Sequence, residues 1–363
     1  MKIPWKIKRE LLRVVAQIRD LLFFLPDALR CFIYSKKKYE VIKKTKGKKV
    51  LKNKIAIFLI YQPKSLAKSI FLTLDYLNNA GYSVFLVSNS NLSSIDRDAL
   101  LMHTNIIFER PNFGYDFGGY KDAYLYIIEN NLSVERLILL NDSIWFLISP
   151  QKDLIRQMEQ SNTDFTGALE VDDGRYLRGK NNFYASFFLM FSNNVINHSD
   201  FNEFWRDYRY SNSKSITIRN GERKLSKCVL SIPNVTSAAM ITRSKLNEVA
   251  LNLIENGNNL FLSDLVQIAV DGSQLKISPE ENKDNPFELF KKITHHKNFL
   301  SSATILCLEH LSLSFLKKSS DPHNLYALQN ILSKILEEQL SINQTIQLEI
   351  RDHVTIHNLN RNE

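Results

Sequence analysis

Residues 55–60 read IAIFLI, a short unbroken apolar run of the kind that forms a parallel strand buried on both faces. Three more such runs follow, with helical stretches between them: YSVFLVS (82–88), NIIFE (105–109) and RLILL (136–140). Strands that alternate with helices at this spacing form a right-handed parallel sheet. We therefore predict an α/β fold with a mostly parallel sheet sandwiched by helices.

The carboxyl ends of these strands are the first place to look for a site, because ligands of such sheets bind beyond them. Polar residues follow the four apolar runs at these ends. They are Tyr61 and Gln62, Asn89, residues 112–120, and residues 141–143. The sequence thus predicts a binding site along one edge of the sheet.

The segment PNFGYDFGGY (111–120) places three glycines and an aspartate between a strand and a helix. Glycines let backbone N–H groups approach a ligand closely, and the start of a helix supplies partial positive charge for a diphosphate. The spacing is not that of the GxGxxG dinucleotide motif. A purely structural turn could use the same glycines, so this segment alone leaves both interpretations open.

A second signal is the apolar run that ends abruptly in Asn141-Asp142-Ser143. A carboxylate at the ligand edge of a sheet can hold a divalent cation or a sugar hydroxyl. The alternative is that Asp142 caps the next helix or turn. One aspartate after one strand does not decide between them.

Taken together, RPNFGYDFGGYKDAY (110–124) and LILLNDSIWF (137–146) resemble the rhamnan synthesis protein F family of polysaccharide-building glycosyltransferases. The resemblance covers about residues 55–230. The layout is also similar, more distantly, to the inverting GT-A glycosyltransferases, in which Asn-x-Gly, a helix and an apolar strand ending in Asp-x-Asp follow one another. Asn112-Phe113-Gly114 occupies the first place, and Asn141-Asp142-Ser143 the last.

The resemblance implies a nucleotide-sugar donor, with a dTDP-linked deoxysugar such as rhamnose as the leading candidate. The acceptor would be a lipid-linked or membrane-bound glycan that grows into a cell-surface polysaccharide or lipopolysaccharide. Tyr61 and Asn89 would line the base and ribose, and Asp142 would face the diphosphate or its metal. The wall around the nucleotide and the diphosphate would be formed by Asn112, Gly114, Asp116, Gly118 and Gly119.

The chain departs from the GT-A pattern at the metal position. An Asp-x-Asp site presents two carboxylates, whereas Asn141 and Ser143 flank a single one here. Mg²⁺ can use one or two carboxylates together with phosphates and water, so Mg²⁺ or Mn²⁺ at Asp142 is left open. Other cations could neutralise the leaving diphosphate instead: Lys121, Arg175 or Arg178.

An inverting transfer needs a base that takes the proton from the acceptor hydroxyl. The resemblance places this base after the later strands at the start of a helix, where Glu222 lies in NGERKLS (220–226). A glutamate in the first turn also stabilises any helix. The rival candidates are Asp172, Asp173 and Asp264.

The N-terminal part carries the chain's excess of positive charge. The whole chain has a net charge of +9, yet residues 1–54 hold 17 Lys or Arg against four acids, so the body is acidic. Apolar residues recur near helical spacing between Pro4 and Pro26, but Arg13, Arg19 and Asp20 interrupt any spanning run. We expect this segment to lie on a bilayer surface, peripherally, at the cytoplasmic face of the inner membrane. A solvated linker is the alternative, and the acidic body argues against nucleic-acid binding.

The remaining chain is less regular. We predict a basic attachment segment (1–54), a GT-A-like domain (55–275) and a helical C-terminal extension (276–363). Residues 299–316 are expected to form a packed helix. Apolar residues from Leu325 to Ile346 fall near heptad spacing, which fits either a homodimer or docking on the chain's own core.

Two function classes stay open from the sequence. One is a glycosyltransferase, which the glycine-rich segment favours. The other is a catalytically inert scaffold of a polysaccharide assembly complex, which the single carboxylate at Asp142 favours. The enzyme hypothesis predicts that Asp116 and Asp142 face the same pocket.

Overall fold

The structure is a computed structural model that describes residues 14, 29–149, 152–171, 182–269, 273–275, 277, 285–295 and 299–359. The predicted bilayer-binding segment between Pro4 and Pro26 lies outside these residues apart from Val14. Four predicted site residues lie outside them as well: Asp172, Asp173, Arg175 and Arg178.

A nine-stranded sheet forms the centre of the fold, in the order β1-β4-β3-β2-β5-β9-β7-β10 with β8 paired to β7. The strands are β1 (Lys43–Lys46), β2 (Lys54–Ile60), β3 (Ser83–Ser88), β4 (Ile106–Glu109), β5 (Arg136–Asn141), β6 (Ile144–Phe146), β7 (Phe165–Val171), β8 (Phe183–Tyr184), β9 (Phe188–Ser192), β10 (Ser237–Ile241), β11 (Gln267–Ile268), β12 (Gln274–Leu275) and β13 (Phe315–Lys317). Strands β4, β3, β2 and β5 are mutually parallel, and β7 and β10 are parallel to each other. Strand β9 joins the two groups by antiparallel pairing on both sides. The predicted α/β class with a mostly parallel sheet is confirmed.

Helices cover both faces of this sheet. They are α1 (residues 29–41), α2 (Lys68–Asn79), α3 (Ser94–Leu101), α4 (Tyr115–Glu129), α5 (Leu154–Gln160), α6 (Asn193–Ile196), α7 (Ser199–Asp207), α8 (Lys214–Thr217), α9 (Lys224–Leu230), α10 (Arg243–Glu255), α11 (Pro286–Thr294), α12 (Phe299–Ser302), α13 (Thr304–His310), α14 (Pro322–Leu336) and α15 (Gln344–Leu359). A π-helical turn (Ile218–Arg223) joins α8 to α9.

Strand β2 shows why the central runs contain no polar residues. Its alternate side chains enter two different apolar clusters, Ala56, Phe58 and Ile60 on one face and Ile55, Ile57 and Leu59 on the other. All six are essentially inaccessible to solvent. Because successive side chains of a strand point to opposite faces, burial of both faces requires an unbroken apolar run.

The C-terminal extension shares a core with the sheet. Leu328 and Ile331 of α14, and Ile346 and Ile350 of α15, belong to the same buried cluster as Phe58 of β2. The near-heptad residues therefore pack within this chain, as one of the two sequence interpretations predicted. The predicted domain boundary near residue 275 and the predicted homodimer both stay predictions, because packing within one chain tests neither of them.

Two segments differ from simple expectations. Residues 43–46 of the basic segment form β1, which adds an antiparallel edge strand beside β4. The predicted helix over 299–316 is replaced by two short helices, α12 and α13, followed by strand β13, which pairs with β6. Within the described ranges, no helix combines the length and apolar composition needed to cross a bilayer.

Candidate functional site

The polar residues predicted along the sheet edge do meet there. The order β3-β2-β5 places Asn89, Tyr61 and Asp142 at three neighbouring strand ends. The N–H of Asn89 donates to Ile60 O at 2.9 Å, and that of Asp142 donates to Leu59 O at 3.0 Å. Backbone hydrogen bonds thus tie the three ends together, while contact of their side chains with a ligand stays a prediction.

A buried arginine organises this edge. It is the first residue of the 110–124 stretch, but no role was predicted for it. Arg110 donates from Nη1 to Asn89 Oδ1 at 2.7 Å and from Nη2 to Phe113 O at 2.6 Å. Its Nε pairs with Asp122 Oδ2 at 2.7 Å, and both side chains of the pair are inaccessible to solvent. Two tyrosine hydroxyls donate to the same carboxylate, each at 2.6 Å. Because a buried pair is costly to break, Arg110 fixes the glycine-rich loop against Asn89.

The three glycines of this loop are explained by packing. Gly114 has φ +82°, a left-handed conformation that glycine adopts at little cost. A Cβ on Gly118 would lie 2.3 Å from Phe113 O, and a Cβ on Gly119 would lie 2.3 Å from Leu59 Cδ1. The close approach that these glycines permit is therefore between α4 and the rest of the chain. Their predicted place in a nucleotide wall stays a prediction, as does that of exposed Asn112.

Asp116, in the first turn of α4, meets Asn141 at the end of β5. Asn141 Nδ2 donates to Asp116 Oδ2 at 2.7 Å, and Asn141 Oδ1 accepts from both the N–H and the hydroxyl of Ser143. Burial, together with the charges of Asp142 and Glu222, raises the pKa of Asp116 to about 7. The site therefore holds a second carboxylate beside Asp142, supplied by α4 instead of by the strand-end motif.

Asp142 lies at the end of β5 and closes it onto β2. Its Oδ2 accepts from the Tyr61 N–H at 2.9 Å and from Gln62 Nε2 at 2.6 Å. The side chain is half-buried. Both donors follow β2, not the turn after Asp142, so these bonds do not make Asp142 the cap of that turn. Both end on one oxygen, and Oδ1 accepts no hydrogen bond from the described residues.

Glu222 approaches the same place from the π-helical turn. Its Oε1 accepts from the Ser186 hydroxyl at 2.5 Å. Burial raises the pKa of Glu222, and the Ser186 hydrogen bond and nearby Lys317 act in the opposite direction. A Cβ on neighbouring Gly221 would lie 2.7 Å from the ring of Phe117 in α4, so the absence of a side chain lets the turn pack closely against that helix. The structure thus brings Glu222 close to Asp116, more than 100 residues earlier in the chain.

Two lysines face these carboxylates, and neither was predicted. The pairing of β13 with β6 sets Lys317 opposite Ile144, and the Lys318 N–H donates to Ser143 O at 2.8 Å. Burial lowers the pKa of both ammonium groups. The negative charge of Glu222 raises the pKa of Lys317, and that of Asp142 raises the pKa of Lys318, but burial has the larger effect on each. The C-terminal extension therefore supplies cations to a site whose acids come from the sheet domain.

Other predicted residues lie elsewhere. Lys121 is five residues after Asp116 on α4, which corresponds to about 140° around a helix. Its Nζ donates to Arg206 O at 2.8 Å and Tyr208 O at 2.6 Å, away from Asp142. The rival base Asp264 pairs with Lys334 at 3.0 Å.

The acids at the sheet edge do not form a ready metal cage. In the part of the chain that the structure describes, no group of three or more His, Cys, Asp and Glu side chains could hold a metal ion. Within the described ranges, Asp142 Oδ1 has no hydrogen-bond donor, and Asp142 and Lys318 attract each other electrostatically. A divalent ion at Asp142 would have to take its remaining ligands from phosphates and water.

Comparison with known proteins assigns the chain to a family. The family model described as rhamnan synthesis protein F matches residues 84–354, most of the chain. The chain belongs to the rhamnan synthesis protein F family. This confirms the resemblance drawn from residues 110–124 and 137–146.

Two curated proteins illustrate how this member of the rhamnan synthesis protein F family relates to others. It is 36% identical over 222 residues to the uncharacterized protein y4gN of Sinorhizobium fredii, which covers 61% of this chain and 57% of that protein. It is 30% identical over 181 residues to the virulence protein VirA of Vibrio anguillarum, which covers 48% of this chain and 55% of that protein. The chain therefore spans just over half the length of these relatives.

Solved structures that match this chain at low TM-scores include two sugar transferases. One is a glycosyltransferase involved in glycosylation of the major capsid of PBCV-1, with a TM-score of 0.29, 13% identity, and coverage of 51% of this chain and 80% of that one. The other is the mannosyltransferase PcManGT of Pyrobaculum calidifontis in complex with GDP-Man and Mn²⁺, with a TM-score of 0.29, 9% identity, and coverage of 97% and 100%.

Proposed function

We propose that this protein is a glycosyltransferase that moves a sugar from a nucleotide-sugar donor onto a growing polysaccharide. The observation that carries the proposal is the convergence of Asp116, Asp142 and Glu222 at one sheet edge, opposite Lys317 and Lys318. Acids and cations gathered at the carboxyl ends of parallel strands suit a substrate that carries both sugar hydroxyls and a diphosphate. Membership of the rhamnan synthesis protein F family supports a polysaccharide product, and rhamnose from a dTDP donor is our leading candidate.

In this proposal Lys317 and Lys318 hold the diphosphate. As the bond between the anomeric carbon and the diphosphate oxygen breaks, negative charge grows on the leaving group. Cations fixed in advance near that oxygen stabilise the charge without reorganising. Because the two lysines already supply positive charge, we propose that transfer does not depend on a divalent metal.

Glu222 acts as the base in the same scheme. The acceptor hydroxyl oxygen attacks the anomeric carbon while its proton passes to the Glu222 carboxylate. This single displacement inverts the configuration at the anomeric carbon. A base works best when its pKa lies near the working pH, and burial moves the pKa of Glu222 in that direction. The Ser186 hydroxyl fixes the orientation of the carboxylate.

The remaining site residues bind the donor in this scheme. Asp142 presents Oδ1 to a sugar hydroxyl, and Asp116, with its pKa of about 7, can donate or accept a hydrogen bond near neutral pH. Tyr61 and Asn89 lie at the neighbouring strand ends and are proposed to line the base and ribose. We further propose a lipid-linked acceptor and peripheral attachment through the cations of residues 1–54 at the cytoplasmic face of the membrane.

An inert scaffold is the second candidate function. It is favoured by the way Asp142 already accepts hydrogen bonds from Tyr61 and Gln62, which is what a structural aspartate would do. A scaffold would keep the fold and bind partners without turning over a donor.

The test is release of nucleoside diphosphate from a panel of nucleotide sugars, with membrane extract as acceptor, in chelator and with added Mg²⁺ or Mn²⁺. The variants are Glu222→Gln and Asp142→Asn, with Asp264→Asn as a control that removes a carboxylate outside the site. We expect one donor to turn over in chelator, and Glu222→Gln to lose roughly 100-fold or more of the rate while donor binding persists. Wild-type protein that neither binds nor turns over any donor would establish the scaffold. If Asp264→Asn loses as much of the transfer rate as Glu222→Gln, the role of base is not assigned to Glu222.

A further inference from the structure

A large cavity lies outside the site described above. It has a volume of about 750 Å³ and opens between α1, the side of α4 that carries Lys121, and residues 206–220. The lining residues that set its chemistry are Phe32, Lys121, Arg206, Asp207, Arg209 and Arg219. None of the five acids and lysines of the proposed transfer site is among these residues. The volume is in the range of small-molecule binding sites.

The lining is strongly cationic. Four of its side chains are Lys or Arg, whereas Asp207 is the single carboxylate. Arg206, Arg209 and Arg219 are exposed at the rim, and none of them is ion-paired to an acid among the described residues. Cations of one sign around a concave surface concentrate anions there.

Lys121 is the innermost of these cations. Its side chain is buried, with 6% of the residue exposed. Two of the three N–H donors of the ammonium are used by Arg206 O and Tyr208 O, and the ring of Tyr210 lies 5.2 Å from Nζ. No oxygen or nitrogen acceptor for the third N–H, and no carboxylate at ion-pair distance, is found among the described residues. The charges of Asp122 and Asp207 act on Lys121 without contacting it. A buried charge without a contacting counter-ion is costly, so an anion entering the cavity would be stabilised.

The chemistry of the rim favours phosphate. Arginine guanidinium groups donate in pairs to planar or tetrahedral oxyanions, and lysine binds phosphate as a point charge. One aromatic side chain also lines the cavity: Phe32 of α1, which is 57% exposed. This ring offers an apolar contact to a molecule that carries the phosphate.

We propose that this cavity is a phosphate-binding site in which Lys121 contacts the anion and Arg209 and Arg219 close over it. The phosphate can belong to a lipid head group or to a soluble phosphorylated molecule, since both present the same oxygens. The proposal is independent of glycosyl transfer, because its residues are separate from those of the sheet edge.

Two probes distinguish the sources. Calorimetric titration with inorganic pyrophosphate tests a soluble ligand, and it is carried out in a Lys318→Gln background so that the sheet edge contributes less. Co-flotation with vesicles of phosphatidylcholine and phosphatidic acid, against phosphatidylcholine and phosphatidylglycerol at the same surface charge, tests a lipid phosphomonoester. The cavity variant is Arg209→Gln/Arg219→Gln, and the matched control is Lys292→Gln/Arg351→Gln, which removes the same charge from exposed positions on α11 and α15.

We expect the cavity variant to weaken pyrophosphate binding, or the preference for phosphatidic acid, by roughly tenfold or more. The control should keep wild-type values. Lys121→Met should have a similar effect, and the arginine variant keeps the test valid if this buried substitution prevents folding. The preference for phosphatidic acid identifies a lipid source, and pyrophosphate binding without it identifies a soluble one. Equal binding of both probes by wild type, cavity variant and control would overturn the proposal.

Discussion

Asn141 illustrates how a single amide can change the electrostatics of a strand-end motif. A carboxylate at this position could only accept hydrogen bonds, whereas the amide Nδ2 donates to Asp116 Oδ2 at 2.7 Å. Because residue 141 is an amide, the Asp116 carboxylate can approach the sheet edge from α4 without contacting another carboxylate at position 141. The departure from Asp-x-Asp is therefore coupled to Asp116, which could not be seen from residues 141–143 alone.

The substitution Asn141→Asp should disrupt this arrangement. It sets two carboxylates in contact, and one of them must stay protonated or move away. We expect a loss of about 1–3 kcal/mol in the free energy of unfolding at neutral pH, with a smaller loss in acid. Urea titrations at both pH values would measure it, with Ser143→Ala as the control that keeps the amide. A loss that is the same at both pH values would contradict the electrostatic explanation.

Asp116 should make stability depend on pH. Its pKa of about 7 in the folded protein lies above the ordinary carboxyl value, so the folded state binds this proton more tightly than the unfolded state. The resulting stabilisation is complete below about pH 4 and is lost as the pH rises through about 7. Asp116→Asn cannot titrate, and it should therefore reduce the fall in unfolding free energy between about pH 4 and about pH 8. An unchanged fall in the variant would show that other groups cause it.

At the scale of elements, the π-helical turn and α4 position Glu222. Gly221 contacts the ring of Phe117, and this contact leaves no room for a Cβ. The turn lies directly before α9, so Glu222 is held between two packed elements. The position of the proposed base is thus set by packing around its neighbour.

Gly221→Ala should therefore affect stability and transfer together. We expect a cost of about 1–3 kcal/mol from overpacking, and a lower transfer rate because the Glu222 carboxylate moves away from Ser186. The double variant Gly221→Ala/Phe117→Leu should recover part of both, because a smaller side chain replaces the ring. The measurements are thermal unfolding and nucleoside diphosphate release. No recovery in the double variant would mean that backbone strain, and not the contact with Phe117, causes the loss.

The elements also show what the sequence could predict. The strand at 55–60 and the carboxyl-edge residues Asn89 and Asp142 follow from local runs and a general rule for parallel sheets, and both are confirmed in position. Strand β13 could not be predicted, since three residues carry no usable period and their partner β6 is about 170 residues away in the chain. Arg110 directly follows β4, so the strand-end rule offered a signal for it, whereas Lys317 lies within β13 and Lys318 follows it, outside the parallel sheet to which the rule applies.

At the scale of the whole molecule, the sheet and the C-terminal extension share one buried cluster. Phe58 of the sheet and Ile350 of α15 are both inaccessible to solvent within it. Removing residues 276–363 would expose the apolar face that these helices cover. Predicted domains that share a core should unfold together.

We therefore expect a single cooperative unfolding transition for the full chain. Differential scanning calorimetry should give equal calorimetric and van't Hoff enthalpies. A chain ending at residue 275 should bind hydrophobic dyes and aggregate, because the face that contacts α14 and α15 is exposed. Two separate transitions in the full chain, with a well-folded fragment, would instead establish the boundary at residue 275 as a division between independent domains.

The position of strand β13 late in the sequence determines when the site can be completed during synthesis. The three acids of the sheet edge leave the ribosome long before Lys317 and Lys318, which are needed to balance their charge. During that interval the parallel strands can pair, but the apolar face that α14 and α15 later cover is exposed and the acids still repel one another. A ribosome-bound chain that stops before β13 should thus hold an incompletely packed sheet without affinity for diphosphate, and the site becomes competent only after β13 has emerged and paired with β6.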